Sequence, residues 1–466
     1  MELLSYSPLL SRRRFVESLG GGLGTLALAP VGMQSMAAAA GASADAGKGP
    51  PHGVPRARRV IQLFMNGGPF QGDFFDPKPE LAKHEGERPK EVELRTERAT
   101  GGLLASPFRF SPQGGSGLWI SELLPHLSRW SDELCVIRSV YTDNPNHGPA
   151  LYMMNNGTIT PKRPSMGAWM LYGLGTENEN LPGYVVLCPG RPVRFAELWC
   201  SAFLPSEFQG TYVNHSRITP ESMIPYLRNT QLDLNTQRRQ LDLLRNLNQE
   251  HLRDRGADTA LEARIQTMET AFLMQSKANE AFDIRLETEA VHDAYGPGSF
   301  AQGCLLARRL AERGVRFTQV YFGDEQPWDT HSNHHAKVRQ LAQQIDQPIA
   351  ALLQDLSQRG MLEDTLVIWG GEFGRTPTSE GGGGRDHSHY GFTMWMAGGG
   401  VRGGVTYGET DAFGLRAVQD KVHIHDLHAT ILHLLGLDHE RLTFRYASRD
   451  FRLTDVHGRV IREILT

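Results

Sequence analysis

The residues best equipped for chemistry lie between Asp364 and Val401. Glu372 is followed by Arg375, and a glycine run, Gly381 to Gly384, then delivers Arg385, Asp386, His387 and His389. Carboxylate oxygens and imidazole nitrogens together suit zinc, manganese or a similar divalent ion. Guanidinium forks match tetrahedral oxyanions. Two other stretches carry the same residue types: Asp329, His331 and His334 in one, Asp73 with Asp76 in the other. Two carboxylates can hold a second, harder ion such as calcium. A pair of ions about 3.5–4 Å apart stabilises both the attacking and the leaving oxygens of phosphoryl or sulfuryl transfer. The plain alternative is an ion pair in a loop, but Asp–His pairs among glycines bury little apolar surface. A single histidine is more often a core or surface residue; here ten of eighteen fall between His331 and His439, which is what points to metal or acid–base work.

Such residues need elements that bring them together. The apolar run Leu366 to Trp369 reads as a buried strand stopped by Gly370-Gly371, which puts Glu372 at its carboxyl end. Val60 to Met65 is a first strand, halted by Asn66-Gly67-Gly68-Pro69 ahead of Asp73. A helix over Phe300 to Glu312 precedes a strand at Phe317 to Phe322; the loop carrying Asp329 follows and feeds a long helix to Arg359. A helix over Glu122 to Trp130, a strand at Leu134 to Val140, a turn-rich loop from Tyr141 to Gly148 and a helix from about Ala150 form another unit. Tyr184 to Leu187 and Phe392 to Ala397 read as further strands, His425 to Gly436 as an amphipathic helix, and Thr443 to Leu465 as a short antiparallel hairpin. Strands alternating with helices predict an α/β fold with a mostly parallel sheet covered on both faces. Strand ends then share one edge, where ligands bind, so distant residues can converge. Residues 219–295 differ: charged and glycine-poor, they predict a helical insertion of two long helices joined near Gly256, with Leu241, Leu244 and Leu247 as a packing stripe.

A formal net charge of -4 without a basic stripe argues against nucleic-acid binding. Residues 1–40 read as a twin-arginine signal peptide: Arg12-Arg13-Arg14 precede a mild apolar run too short and glycine-rich for a stable transmembrane span, and small residues follow. Residues 41–58 form a linker, and 59–466 the folded domain. The expected partner is the twin-arginine translocation machinery and the expected location periplasmic or secreted, where Cys188 and Cys200 could pair. The four cysteines show no CxxC spacing, and no flavin, haem or molybdenum motif supports a redox role.

Several motifs in order resemble one exported bacterial family. They are Phe64-Met65-Asn66-Gly67-Gly68-Pro69 with Asp73 and Phe75-Asp76-Pro77-Lys78, Trp328-Asp329-Thr330-His331, Glu372 to Pro377, Gly384 to His387, and Ala397 to Gly400. That family is sulfatase-like but of unknown function (domain of unknown function 1501), within the alkaline phosphatase superfamily. The resemblance implies an alkaline-phosphatase-like fold and a metal-dependent hydrolase. It implies that Asp73 binds one metal, that Asp329 with His331 or His334 serves another, and that Glu372 and His387 complete the ligands. Phe373 departs from the pattern, standing where the superfamily has a histidine. Phe70 and Phe74 replace smaller polar residues, which implies a more apolar mouth.

The nucleophile is open. Thr142 could serve, His147 could act as nucleophile, base or metal ligand, or a metal-bound hydroxide could attack directly; Thr142 could equally be a turn hydroxyl bonding its own backbone. No Cys-x-Pro-x-Arg pattern exists, which excludes formylglycine chemistry. Arg375 and Arg385 are expected as oxyanion clamps, or as salt bridges to Glu372 or Asp386. The leading expectation is an exported hydrolase of small-molecule or glycan phosphate or sulfate esters, dependent on one or two divalent ions. The rival is a degenerate relative that binds anionic glycans or surface partners without turnover.

Overall fold

The computed structural model describes residues 52–88, 90, 95–178, 180–216, 219, 223, 229, 231–255 and 259–466. The expected signal peptide, most of the linker, and Pro220 and Gly256 of the helical stretch lie outside the described residues. No helix among the described residues is long and apolar enough to cross a membrane.

Among the described residues, one sheet of nine strands organises the fold. In chain order these are β1 (Arg59–Phe64), β2 (Leu134–Tyr141), β3 (Tyr184–Leu187), β4 (Thr211–Val213), β5 (Phe317–Tyr321), β6 (Thr365–Gly370), β7 (Phe392–Ala397), β8 (Val405–Tyr407) and β9 (Val422–His423). They lie in the order β8-β2-β7-β6-β1-β5-β3-β4, with β9 also paired to β2. β1 is central and parallel to both neighbours, Val60 facing Phe317 and Leu366. Strands buried on both faces are near-continuously apolar; the buried Gln62 of β1 and Gln319 of β5 are the kind of exception that a mutual hydrogen bond satisfies, Gln319 Nε2 donating to Gln62 Oε1 (3.3 Å). Successive side chains of β1 serve opposite layers: Ile61 and Leu63 one, Val60 and Phe64 the other. The first layer receives α5 (Ser299–Glu312) and α6 (His334–Gln358) through Leu305, Leu306, Val338 and Ile345. The second receives α1 (His147–Asn156), α2 (Met166–Leu174) and α7 (Ile424–Leu434) through Leu151, Trp169 and Leu427. α3 (Leu234–Arg255) and α4 (Thr259–Phe282) pack together through Leu241, Leu244 and Met268, with Arg238 and Arg245 both on Glu269.

Several expectations need correction. β7 runs antiparallel to both β6 and β2. The chain between β6 and β7 folds as a hairpin rather than a crossover helix, so it returns in the opposite direction. The helix expected over Glu122 to Trp130 is absent: Leu118–Ser121 is a strand and Leu127–Glu133 a 3₁₀ turn. Pro125 lacks an amide hydrogen and breaks the helical ladder there. The terminal hairpin spans only Phe444–Tyr446 and Arg449–Phe451. All four cysteines are free, Cys188 donating to Gly323 O and Cys200 to Arg163 O.

Candidate metal centre

Four loops meet at the carboxyl edge of the sheet. β6 ends at Gly370, and Glu372 follows, fully buried. The chain then forms the hairpin Gly374–Glu380/Gly384–Ser388, in which Arg375 lies opposite His387 and Glu380 opposite Gly384. Its register shifts between Arg385 and His387. That irregularity lets the consecutive Asp386 and His387 face the same side. The loop after β1 grips this unit: Gly67 N donates to both Glu372 carboxylate oxygens (3.0 and 3.2 Å), and Arg375 donates to the carbonyls of Gly67 and Gly68. Only glycine fits there. Gly67 (φ +113) and Gly68 (φ +79) are left-handed, and a Cβ would come within 2.5 Å of Asp329 N and of Phe373 O respectively.

Asp329, on the loop after β5, is the hub. Its Oδ1 lies 2.9 Å from His331 Nε2, 3.1 Å from His387 Nε2 and 3.4 Å from His147 Nε2, and it accepts from Arg375 Nη2. Each ring is fixed from behind by its own carboxylate at Nδ1: His147 by Glu372 (2.7 Å), His387 by Glu97 (2.7 Å) and His331 by Glu380. Outer carboxylates of this kind set tautomer and ring angle in metal sites. His147, the first residue of α1, owes its place to a cap in which Gly148 N donates to Asn146 Oδ1.

Burial alone would raise the Asp329 pKa, but the three imidazoles and Arg375 outweigh it and hold the carboxyl far below its usual range. Burial pulls His147 down, and Asp329 and Glu372 more than reverse this; His331 is raised, chiefly by Asp329 and then by Glu380. The donor atoms of His147, Asp329 and His387 gather within 4.8 Å of one another, as do those of His331, Asp386 and His387. Asp386 Oδ1 is buried without a hydrogen-bond partner, and His147 Nε2 is buried with no closer partner than Asp329 Oδ1 at 3.4 Å. Unpartnered buried donor atoms beside converging imidazoles fit a cation.

The sequence candidates sort as follows. Asp329, His331, Glu372, Asp386, His387 and His147 come together. Asp73 and His334 instead pair with each other, fully buried, at 2.7 Å, and His334 Nδ1 meets Thr330 Oγ1 at 2.6 Å; neither residue belongs to the gathered donor groups among the described residues. Burial drives the His334 pKa down to about 4. Arg375 and Arg385 are fully buried and bridge neither Glu372 nor Asp386: Arg375 takes Asp329 and backbone carbonyls, and Arg385 takes Thr376 O and Leu104 O. Thr142 Oγ1 is buried and bonds nothing, its own backbone included. Phe373 lies against His147 (ring centroids 4.7 Å) and His387 (4.8 Å). Phe70 and Phe74 do not line a mouth; both are fully buried, Phe70 under Arg385 and Phe74 against Trp328 and Trp369. Glu97 and Glu380 were not singled out from sequence. Glu380 had one signal, its place at the rim of the glycine turn that presents His387; Glu97 sits in a charged stretch without pattern.

Fold and centre together define an α/β protein with a mostly parallel sheet and a histidine–carboxylate cluster at its carboxyl edge. The chain belongs to the family described as "Protein of unknown function (DUF1501)", whose profile matches residues 57–465. No curated protein matches it. Among solved structures it is similar to the lipoteichoic acid synthase LtaP from Listeria monocytogenes (8% identity, TM-score 0.38, covering 83% of this chain and 74% of that one). It is also similar to PsFucS1 sulfatase from Pseudoalteromonas sp. (11%, 0.35, 82% and 68%) and to a TAB5 alkaline phosphatase mutant with Mg bound (10%, 0.35, 83% and 99%). These likenesses are remote.

Proposed function

We propose that the cluster around Asp329 holds a divalent ion (zinc, manganese or calcium) and that the protein is an exported, metal-dependent hydrolase of phosphate or sulfate esters, small-molecule or glycan. One observation carries the reading: three imidazoles, each pinned at Nδ1 by a separate carboxylate, turn Nε2 toward one aspartate. His147, Asp329, His331, Asp386 and His387 would hold the metal. Bound there, a divalent ion supplies Lewis acidity toward an ester oxygen. The chain's own residues do the positioning. Glu372, Glu380 and Glu97 keep the rings in one tautomer, Arg375 locks Asp329 in place, and Phe373 presents an apolar wall to His147 and His387. Export through the twin-arginine machinery belongs to this reading through residues 1–40 alone.

A second reading, a binder of anionic glycans or surface partners without turnover, is favoured by one observation. The side-chain hydrogen bonds of His147, Asp329, His331 and His387 bring in carboxylates and a guanidinium but no hydroxyl or thiol among the described residues. Elemental analysis of the purified protein, followed by a panel of chromogenic phosphate and sulfate esters with each ion, separates the two. Stoichiometric metal with turnover supports the hydrolase; metal without turnover, with tight glycan binding, supports the binder. The paired substitution Asp329→Asn and His387→Gln should leave a folded protein free of metal, and unchanged metal content would refute the site.

A further inference from the structure

We propose that Arg194 is the group that recognises the anionic oxygens of the substrate at the rim of this centre, and that the substrate is a monoester carrying a tetrahedral oxyanion. The inference rests on the metal-hydrolase reading and supplies the anion-binding group that reading lacks. The other arginines near the centre are already engaged. Arg375 is spent on Asp329 and on the carbonyls of Gly67, Gly68 and Arg385. Arg385 donates to Thr376 O and Leu104 O and lies 3.8 Å above the Phe70 ring. Arg98 is paired with Glu380.

Arg194 is exposed, and no carboxylate or carbonyl takes its guanidinium among the described residues. It lies over the Tyr152 ring at 5.8 Å and against the backbone of Gly148, where a Cβ would stand 2.8 Å from both its Nε and its Nη2. Gly148 directly follows His147, so this uncommitted cation sits one residue along from a ring of the centre. Gly148 is what makes room for it.

The backbone holds the arginine there under constraint. Arg194 (φ 69) and Phe195 (φ 37) are consecutive non-glycine residues in left-handed conformations. Such strain persists where the surroundings over-determine it, and it gathers at functional positions. The anchor is visible: Phe195 packs on Trp199 and Tyr212 at 5.1 Å each, and Glu197 N donates to Arg194 O. The start of α1 does not compete for the anion. Gly148 N donates to Asn146 Oδ1, Ala150 N donates to Asn146 O, and Pro149 has no amide hydrogen. A guanidinium fork matches two oxygens of a phosphate or sulfate group, which a lysine ammonium does not.

The test titrates inorganic phosphate and inorganic sulfate calorimetrically into the zinc-loaded full chain, as wild type, Arg194→Gln and Arg194→Lys, with metal measured on each sample. The expected result is unchanged metal content, phosphate or sulfate binding at least tenfold weaker in Arg194→Gln, and partial recovery in Arg194→Lys. The anion bound more tightly by wild type names the ester class. Equal affinities in wild type and Arg194→Gln with metal retained overturn the proposal and leave the hydrolase reading standing. Wild type without metal that still loses anion binding in Arg194→Gln supports the arginine and defeats the metal reading. Wild type that binds neither anion overturns the proposal.

Discussion

His331 and His387 bring their Nε2 atoms to 3.1 Å of each other, and Asp329 Oδ1 lies 2.9 Å from the first and 3.1 Å from the second. The two rings come from loops after different strands, and each is held from behind by its own glutamate. Two imidazole nitrogens at this separation repel as lone pairs or as protonated groups unless a proton or a cation lies between them.

The outer glutamates should therefore matter to metal affinity. Glu380→Gln or Glu97→Gln keeps the shape of the side chain but removes the charge behind a ring. Each substitution should weaken metal binding by about 10–100-fold. Chelator competition measures this, with circular dichroism confirming the fold; undiminished affinity would remove both residues from the scaffold of the centre.

Gly67→Ala places a methyl 2.5 Å from Asp329 N on a backbone at φ +113. The left-handed strain costs about 1–3 kcal/mol, before the clash displaces Asp329. Denaturant unfolding should show at least this loss, together with loss of metal.

Phe373→Ala removes a buried ring lying against His147 and His387. Deleting a buried phenylalanine side chain costs about 3–5 kcal/mol. Thermal denaturation should report the loss, and metal affinity should fall because two imidazoles lose their apolar support.

The protein should weaken on mild acidification through a histidine remote from the centre. His428 is buried with Nε2 2.9 Å from Met154 O, and burial, aided by His425 and His423, pushes its pKa down to about 3. The folded pKa lies below the unfolded one, near 6.5. Below that value the unfolded chain takes up a proton that the fold refuses, so the stabilisation present above pH 6.5 is lost as pH falls toward the folded pKa. At about 1.4 kcal/mol per pH unit, this one group accounts for about 2 kcal/mol of lost stability between pH 7 and pH 5. His428→Gln should remove that part of the slope in urea titrations at the two pH values.

The strands of the sheet were legible because a strand buried on both faces is written as an apolar run closed by glycine, as in Leu366 to Gly371. The reversed β7 was not, since direction depends on whether the connection is a helix or a hairpin, and the stretch Phe373 to Ser388 carries no periodicity that decides it. At the site, Asp329, His331 and His387 were legible as ligand types at strand ends. That Asp73 would leave them for His334 was not, because the choice is made by which side chains the loops turn inward. Arg375 and Arg385 misled for a related reason: an arginine reads as an anion clamp until the backbone carbonyls that absorb its donors are known. Glu97 gave no signal, one acid among many in a charged stretch.

The groups that meet at Asp329 are contributed by positions from 147 to 387 in the chain. During synthesis, no partial product long enough to hold β1 and β5 but short of His387 contains the whole set. The centre is thus a late event on the ribosome, complete only once β1, β2, β5 and β6 have all been made. If residues 1–40 send the chain across a membrane already folded, the ion is acquired on the side where the protein is made, and which metal it carries is decided by that compartment's supply rather than by its destination.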